Sequence, residues 1–272
     1  MLLAQDQTEL AWEVFDELQG KTIPSGEVAG TMLMHLGKTD NVERAFLLHK
    51  RLIGAGMASN ASCFEALIYA ASKRKDYFPD AIDLFRQMVL LKMPIGIKVY
   101  NHLLQACAKV ADLNTAMSLW RSVLDGTDPA VKPSVYTCTS YLWALSAVET
   151  PDTKISNRDF VYRMPKLELV TAADEVIQYM ADNAIQMSPH TASALLALYS
   201  NLRMGERAEQ LFWETIPARG FERSPFAYEF MFKLYDNTRD YGGAAKVHAQ
   251  ALVENIKVPY EGWRALIRCA AL

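Results

Sequence analysis

One eight-residue design returns through the whole chain. AIDLFRQM, Ala81 to Met88, places Ala81, Leu84, Phe85 and Met88 at i, i+3, i+4 and i+7, a single apolar stripe on an α-helix. The same design recurs as AWEVFDEL from Ala11, AFLLHKRL from Ala45, AMSLWRSV from Ala116, ADEVIQYM from Ala173, AEQLFWET from Ala208 and AAKVHAQA from Ala244. Each begins with Ala, carries Leu or Val three residues on, and then a large side chain. The Ala-to-Ala intervals are 34, 36, 35, 57, 35 and 36. Upstream of each Ala from the second onward lies another apolar helical stretch, such as CFEALIYAAS or SALLALYSN, so the unit is a pair of helices.

A period near 35 with two helices per unit predicts an all-α, right-handed α-solenoid of about seven helix-turn-helix repeats, in which each pair buries its apolar face on its neighbours. The units fall near 4–25 (partial), 26–60, 61–96, 97–134, 135–189, 190–225, 226–259 and 260–272 (partial), with an insertion over 150–169 accounting for the long interval. The recurring Ala marks a close helix crossing that a bulkier side chain would overpack. Prolines at Pro24, Pro94, Pro133, Pro189, Pro225 and Pro259 are read as stops for the second helices.

Composition removes several functions. Lys plus Arg total 28 against 31 for Asp plus Glu, so no global positive field draws in a polyanion, and any nucleic-acid contact rests on local patches. Cys63, Cys107, Cys138 and Cys269 stand singly, without the spacing of a zinc site or a disulfide framework. No apolar run reaches membrane-spanning length, and the N-terminus reads as neither a signal nor a transit peptide. Gly-rich phosphate loops, clustered carboxylates and the zinc deaminase signature are missing, so the chain reads as non-enzymatic, without cofactor or small-molecule substrate.

KVYNHLLQACAKVADLNTAMSLW from Lys98 and KPSVYTCTSYLWAL from Lys132 resemble the pentatricopeptide repeat, whose first helix opens with a V-T-Y-N-T-L-I type run, whose second is of A-L-E-L-F-E-E-M type, and whose loop ends in K-P-D. The resemblance covers residues 4–272. The W-x-x-L-G-x-x-Y first helix of tetratricopeptide repeats occurs nowhere in the chain. It implies single-stranded RNA bound along the first helices, in mitochondria or alternatively chloroplasts, with side chains of each repeat reading about one base.

Carried over, the first-helix reading position falls on Gly30, Glu65, Asn101, Thr139, Ser193, Glu229 and Arg264, with loop partners near Asn60, Gly96, Ser134, Ser188, Ser224 and Pro259. Only Asn101 with Ser134, Thr139 with Ser188, and Ser193 with Ser224 make small polar pairs. Tyr136, His190 and Phe226 sit near the base-wedging position, where they either stack on bases or pack between units. In the insertion, Lys154, Arg158, Arg163 and Lys166 alternate with Phe160 and Tyr162, as a loop that reaches a phosphate backbone or a neighbouring subunit, or as a solvated excursion. With so few readable pairs, the expected role is a subunit of a ribonucleoprotein such as the mitochondrial ribosome, touching ribosomal or other single-stranded RNA and neighbouring proteins. A pure protein scaffold and a transcript-specific factor are the alternatives.

Overall fold

The computed structural model describes residues 25–126, 131–147, 165–258 and 260–271. Every regular element among them is helical. The contacts divide the chain between Lys132 and Pro133, with Ala111–Leu113 grouped with the second part. Unit 1 contains α1 (Gly26–Lys38), α2 (Val42–Gly54), α3 (Ala61–Ser72), α4 (Phe78–Leu90), α5 (Ile97–Val110) and α6 (Leu113–Leu124). Unit 2 begins with α7 (Val135–Ser146), α8 (Lys166–Asp182) and α9 (Pro189–Asn201). It continues through α10 (Gly205–Glu209), a π-helical turn at Gln210–Thr215 and α11 (Ile216–Ala218), and ends with α12 (Pro225–Thr238), α13 (Tyr241–Val253) and α14 (Tyr260–Ala270).

Both units are segments of an α-solenoid. In unit 1 the first helices of successive pairs, α1, α3 and α5, pack in series, and in unit 2 α7, α9, α12 and α14 do the same. The recurring alanines lie where the period puts them: Ala45, Ala81, Ala116, Ala173, Ala208 and Ala244 are all wholly buried. Leu84 and Met88 are buried behind Ala81, while Phe85 is half-buried and meets Tyr100 edge-on at 5.6 Å. The closest first-helix approach is made by glycines on one stripe of α1. A Cβ on Gly30 would lie 3.1 Å from Ser62 Cβ, and one on Gly37 would lie 2.8 Å from the ring of Tyr69. Helices α7 and α9 are the most enclosed: Thr137–Leu142 and Ala144–Ser146 are buried in the first, and Thr191, Ala192 and Ala194–Ser200 in the second.

Helix ends are set by backbone geometry more than by proline. Pro189 and Pro225 open α9 and α12 at the first helical position, where a missing N–H costs nothing, so they start first helices and do not stop second ones. The second helices other than α6 end at left-handed residues: Gly56, Lys92, Ala184, Gly220 and Asn255 have φ between 51° and 93°. In each case the next N–H bonds back five residues, as in Met57 to the Leu52 carbonyl at 3.0 Å and Met93 to that of Met88 at 2.9 Å. First helices close alike at Asp40, Ala111, Arg203 and Arg239. Each reversal satisfies carbonyls that a helix end would leave bare.

Two features depart from the repeat pattern. AEQLFWET contains the π-helical turn, and Pro217 supplies a cause: it has no N–H for the carbonyl of Trp213, and its ring crowds that carbonyl, which a wider turn relieves. The last residues of the insertion, 166–169, are helical, because α8 begins at Lys166, and Leu169 is buried in it.

Candidate nucleic-acid interface

Successive first helices bring equivalent residues side by side, so a site on this scaffold is a row. The row nearest the helix starts is made of caps. Ser25, Asn60, Ser188 and Ser224 accept a hydrogen bond from the backbone N–H three residues on, at 3.4, 3.0, 3.1 and 3.2 Å. Ser134 and Ser188 add a reciprocal bond, donating their own backbone N–H to Thr137 Oγ1 at 3.1 Å and Thr191 Oγ1 at 3.3 Å. The loop partners Ser134, Ser188 and Ser224 thus hold the first turns of α7, α9 and α12.

Two residues past each cap, at the second helical position, a side chain leaves the helix start outward. In unit 2 these are Tyr136, 72% exposed, the exposed His190, and Phe226, 62% exposed. Rings of that exposure do not pack between units. Tyr260, at the start of α14, is exposed as well. The equivalent residues of unit 1 are Glu27, Ser62 and Lys98, with no ring among them.

Five residues past the caps, the reading positions differ in availability. Thr139 is buried, its Oγ1 2.7 Å from that of Thr191. Ser193 donates to its own helix at the Pro189 carbonyl, 3.0 Å away. Asn101 is half-buried, and its Oδ1 has no partner. Gly30 is closed off by Ser62, Glu229 is half-buried, and Arg264 is exposed. Glu65 lies with Gly30, Glu27, Lys38 and Lys98 along a groove of about 640 Å³ on the first-helix face of unit 1.

Thirteen residues past the caps, unit 1 carries Lys38, Lys73 and Lys109, all exposed and spaced by 35 and 36 residues. The corresponding residues of unit 2 are Ala147, Asn201 and Asn237. Lys109 Nζ donates to the carbonyls of Ser72 and Lys73 at 2.9 and 3.0 Å, which closes the C-terminus of α3. Lys73 Nζ stands 4.8 Å over the Tyr69 ring. The sequence reading missed this row; its only signal was the repeat of the spacing.

Between the rows, each unit fills the middle of its first-helix face with rings. In unit 1, Tyr69 rests on Gly37 and meets His102 at 4.8 Å. Burial, then the charges of Lys73 and Lys98, push the His102 imidazole down to about 4, and its Nδ1 has no hydrogen-bond partner. In unit 2, Trp143 of α7 reaches Phe230 of α12 at 6.1 Å, and Ala197 of the intervening α9 is buried.

Lys154, Arg158 and Arg163 lie outside the described residues, and Lys166 opens α8 exposed. Among the described residues no group of three His, Cys, Asp or Glu could hold a metal ion, and no helix is long and apolar enough to cross a membrane. Burial pushes the Cys138 thiol up to about 12 and raises that of Cys63, so both stay protonated.

No curated protein matches the chain. Among solved structures, it is similar to the pentatricopeptide repeat protein PPR10 in complex with an 18-nt psaJ RNA element, with 12% identity over 99% of this chain and 55% of that one, at a TM-score of 0.41. It is also similar to PPR10 from maize, with 14% identity over 96% of this chain and 43% of that one, at a TM-score of 0.43. The chain thus spans about half the length of these structures. Residues 4–123 match the family model described as pentatricopeptide repeat-containing protein.

Proposed function

We propose that this protein is a non-enzymatic, organellar RNA-binding subunit, holding a single strand along its first helices within a ribonucleoprotein such as the mitochondrial ribosome. The observation that carries the reading is the ring row of unit 2. Tyr136, His190 and Phe226 occupy one register of neighbouring helices and stand in solvent, where isolated aromatic side chains gain nothing from packing. A base has a π-face whatever its identity, so such a row supports stacking with little choice of sequence. The lysine row of unit 1 offers the complementary contact to phosphates.

The weak readout favours a subunit over a solitary reader. Thr139 spends its hydroxyl within the core and Ser193 on its own helix, and the unpaired Oδ1 of Asn101 is itself buried, which leaves little base readout. With a formal charge of -3, the chain needs neighbouring proteins to supply part of the phosphate contact.

Titration of a labelled single-stranded RNA against rising salt tests this reading. Binding should weaken with a log–log slope of about 0.7 per neutralised phosphate, and a duplex of the same sequence should bind less well. An absence of single-strand binding even at low salt overturns RNA recognition by this chain and favours the protein-scaffold role.

A further inference from the structure

The second helices of unit 1 carry a surface that RNA binding does not use. Counting from the buried Ala of each, the residue one further on is apolar and half-buried: Phe46, Ile82 and Met117. The residue five further on is basic and exposed: Lys50, Arg86 and Arg121. The residue eight further on is apolar and exposed: Ile53 at 42%, Val89 at 52% and Leu124 at 43%. Rotations of 100° per residue place all three positions on one flank of their helix. Phe46 stacks on Tyr77, next to α4, at 5.5 Å, so in α2 that flank looks toward the following helix pair.

Neither solubility nor internal packing accounts for this pattern. Scattered apolar residues are ordinary on a protein surface, but three at one register, each beside a cation, form a patch. Leu90 and Leu91 extend it, at 80% and 61% exposure. In unit 2 the same three positions read Asp174, Gln178 and Ala181 on α8, Glu209, Trp213 and the buried Ile216 across the π-helical turn, and Ala245, Ala249 and the exposed Leu252 on α13, so none of the three helices pairs an apolar residue with a cation there. The design therefore belongs to unit 1 and does not follow from the repeat itself.

We infer that the second-helix face of unit 1 docks an acidic amphipathic helix of a partner protein. The apolar residues call for an apolar stripe, and the cations beside them call for flanking carboxylates. Among these cations Arg86 alone has an ion pair within its helix, to Asp83 at 2.9 Å and exposed, so it is readily exchanged for a partner's carboxylate. Neighbouring helices in such stacks lie on the order of 10 Å apart, and a helix rises about 1.5 Å per residue, so an apolar residue roughly every seven meets one furrow after another. This inference is independent of the RNA reading.

The test uses the full chain and a labelled synthetic helix of about 21 residues, with Leu at every seventh position and Glu on both flanks of the Leu stripe. Fluorescence anisotropy should show saturable binding that weakens at least about tenfold in the Ile53→Ser/Val89→Ser/Leu124→Ser variant. A second variant, Lys50→Glu/Arg121→Glu, should lose the Glu-flanked peptide and gain a Lys-flanked one. Both variants should keep wild-type helical content and RNA affinity, which separates this surface from the first-helix rows. Equal binding by wild type and both variants overturns the inference. So does recruitment to anionic phosphatidylglycerol vesicles, or self-association through these residues, in place of peptide binding.

Discussion

Units 1 and 2 repeat one helix pair and decorate it differently. Thirteen residues past the caps unit 1 has Lys38, Lys73 and Lys109, where unit 2 has Ala147, Asn201 and Asn237. Two residues past the caps unit 2 has Tyr136, His190 and Phe226, where unit 1 has Glu27, Ser62 and Lys98. The positions that make the solenoid, the buried Ala and the αL closures, are shared by both. A repeat scaffold can thus keep its packing register fixed while each surface register is free to change. On the proposed RNA-binding role, phosphate contact would fall to unit 1 and base contact to unit 2.

The largest expected effect comes from removing the rings. Tyr136→Ala/His190→Ala/Phe226→Ala should weaken single-stranded RNA binding by at least about a hundredfold, since a stacked base is worth about 1–3 kcal/mol per ring. Circular dichroism should be unchanged, because the three side chains are exposed. Wild-type affinity in that variant would remove base stacking from unit 2.

Acid should act on unit 1 through His102. Its folded value of about 4 lies below the ordinary 6.5, so the folded chain binds fewer protons than the unfolded one between those values. Stability from this group is therefore complete above about pH 6.5 and is lost as pH falls toward 4, by up to about 3 kcal/mol. Urea midpoints measured from pH 7 to pH 4.5 should show that slope, and His102→Leu should flatten it.

Neutralising the lysine row should change salt dependence more than specificity. Lys38→Gln/Lys73→Gln/Lys109→Gln should make the log–log salt slope of RNA binding shallower by about 2, at about 0.7 per phosphate. An unchanged slope would leave unit 1 without a backbone role. The smallest effect belongs to the closures: Gly56→Ala in unit 1 should cost about 1 kcal/mol, and Ala184→Gly in unit 2 should gain a similar amount, as read by thermal unfolding.

Much of the scaffold was legible because packing repeats with the sequence. Ala81, Leu84 and Met88 are buried as the stripe requires, and the alanines of the other described second helices follow. The site was legible only in part. Spacing puts Ser134, Ser188 and Ser224 next to first helices, but it does not separate a base contact from a cap, since both ask for a small hydroxyl. It places Thr139 at a reading position without revealing that Thr191, 52 residues on, takes its hydroxyl. AEQLFWET matches its siblings at the packing positions Ala208, Leu211 and Phe212, and the cause of its wider turn, Pro217, lies outside the motif. The lysine row was hidden because its members are 35 and 36 residues apart and each alone looks like an ordinary helix-end charge.

The left-handed closures also make the repeats separable. Each second helix ends through bonds that reach back no more than five residues, as at Gly56 with Met57 and at Ala184 with Ile185, so a reversal is complete within its own few residues. A boundary drawn one residue further on, after Met57 or Ile185, cuts no bond of the closure. Swapping the cassette from Ala58 to Met93 for the one from Gln186 to Phe221 would therefore carry a new surface into place with its own turns intact, and the decoration of this protein could be rewritten one repeat at a time.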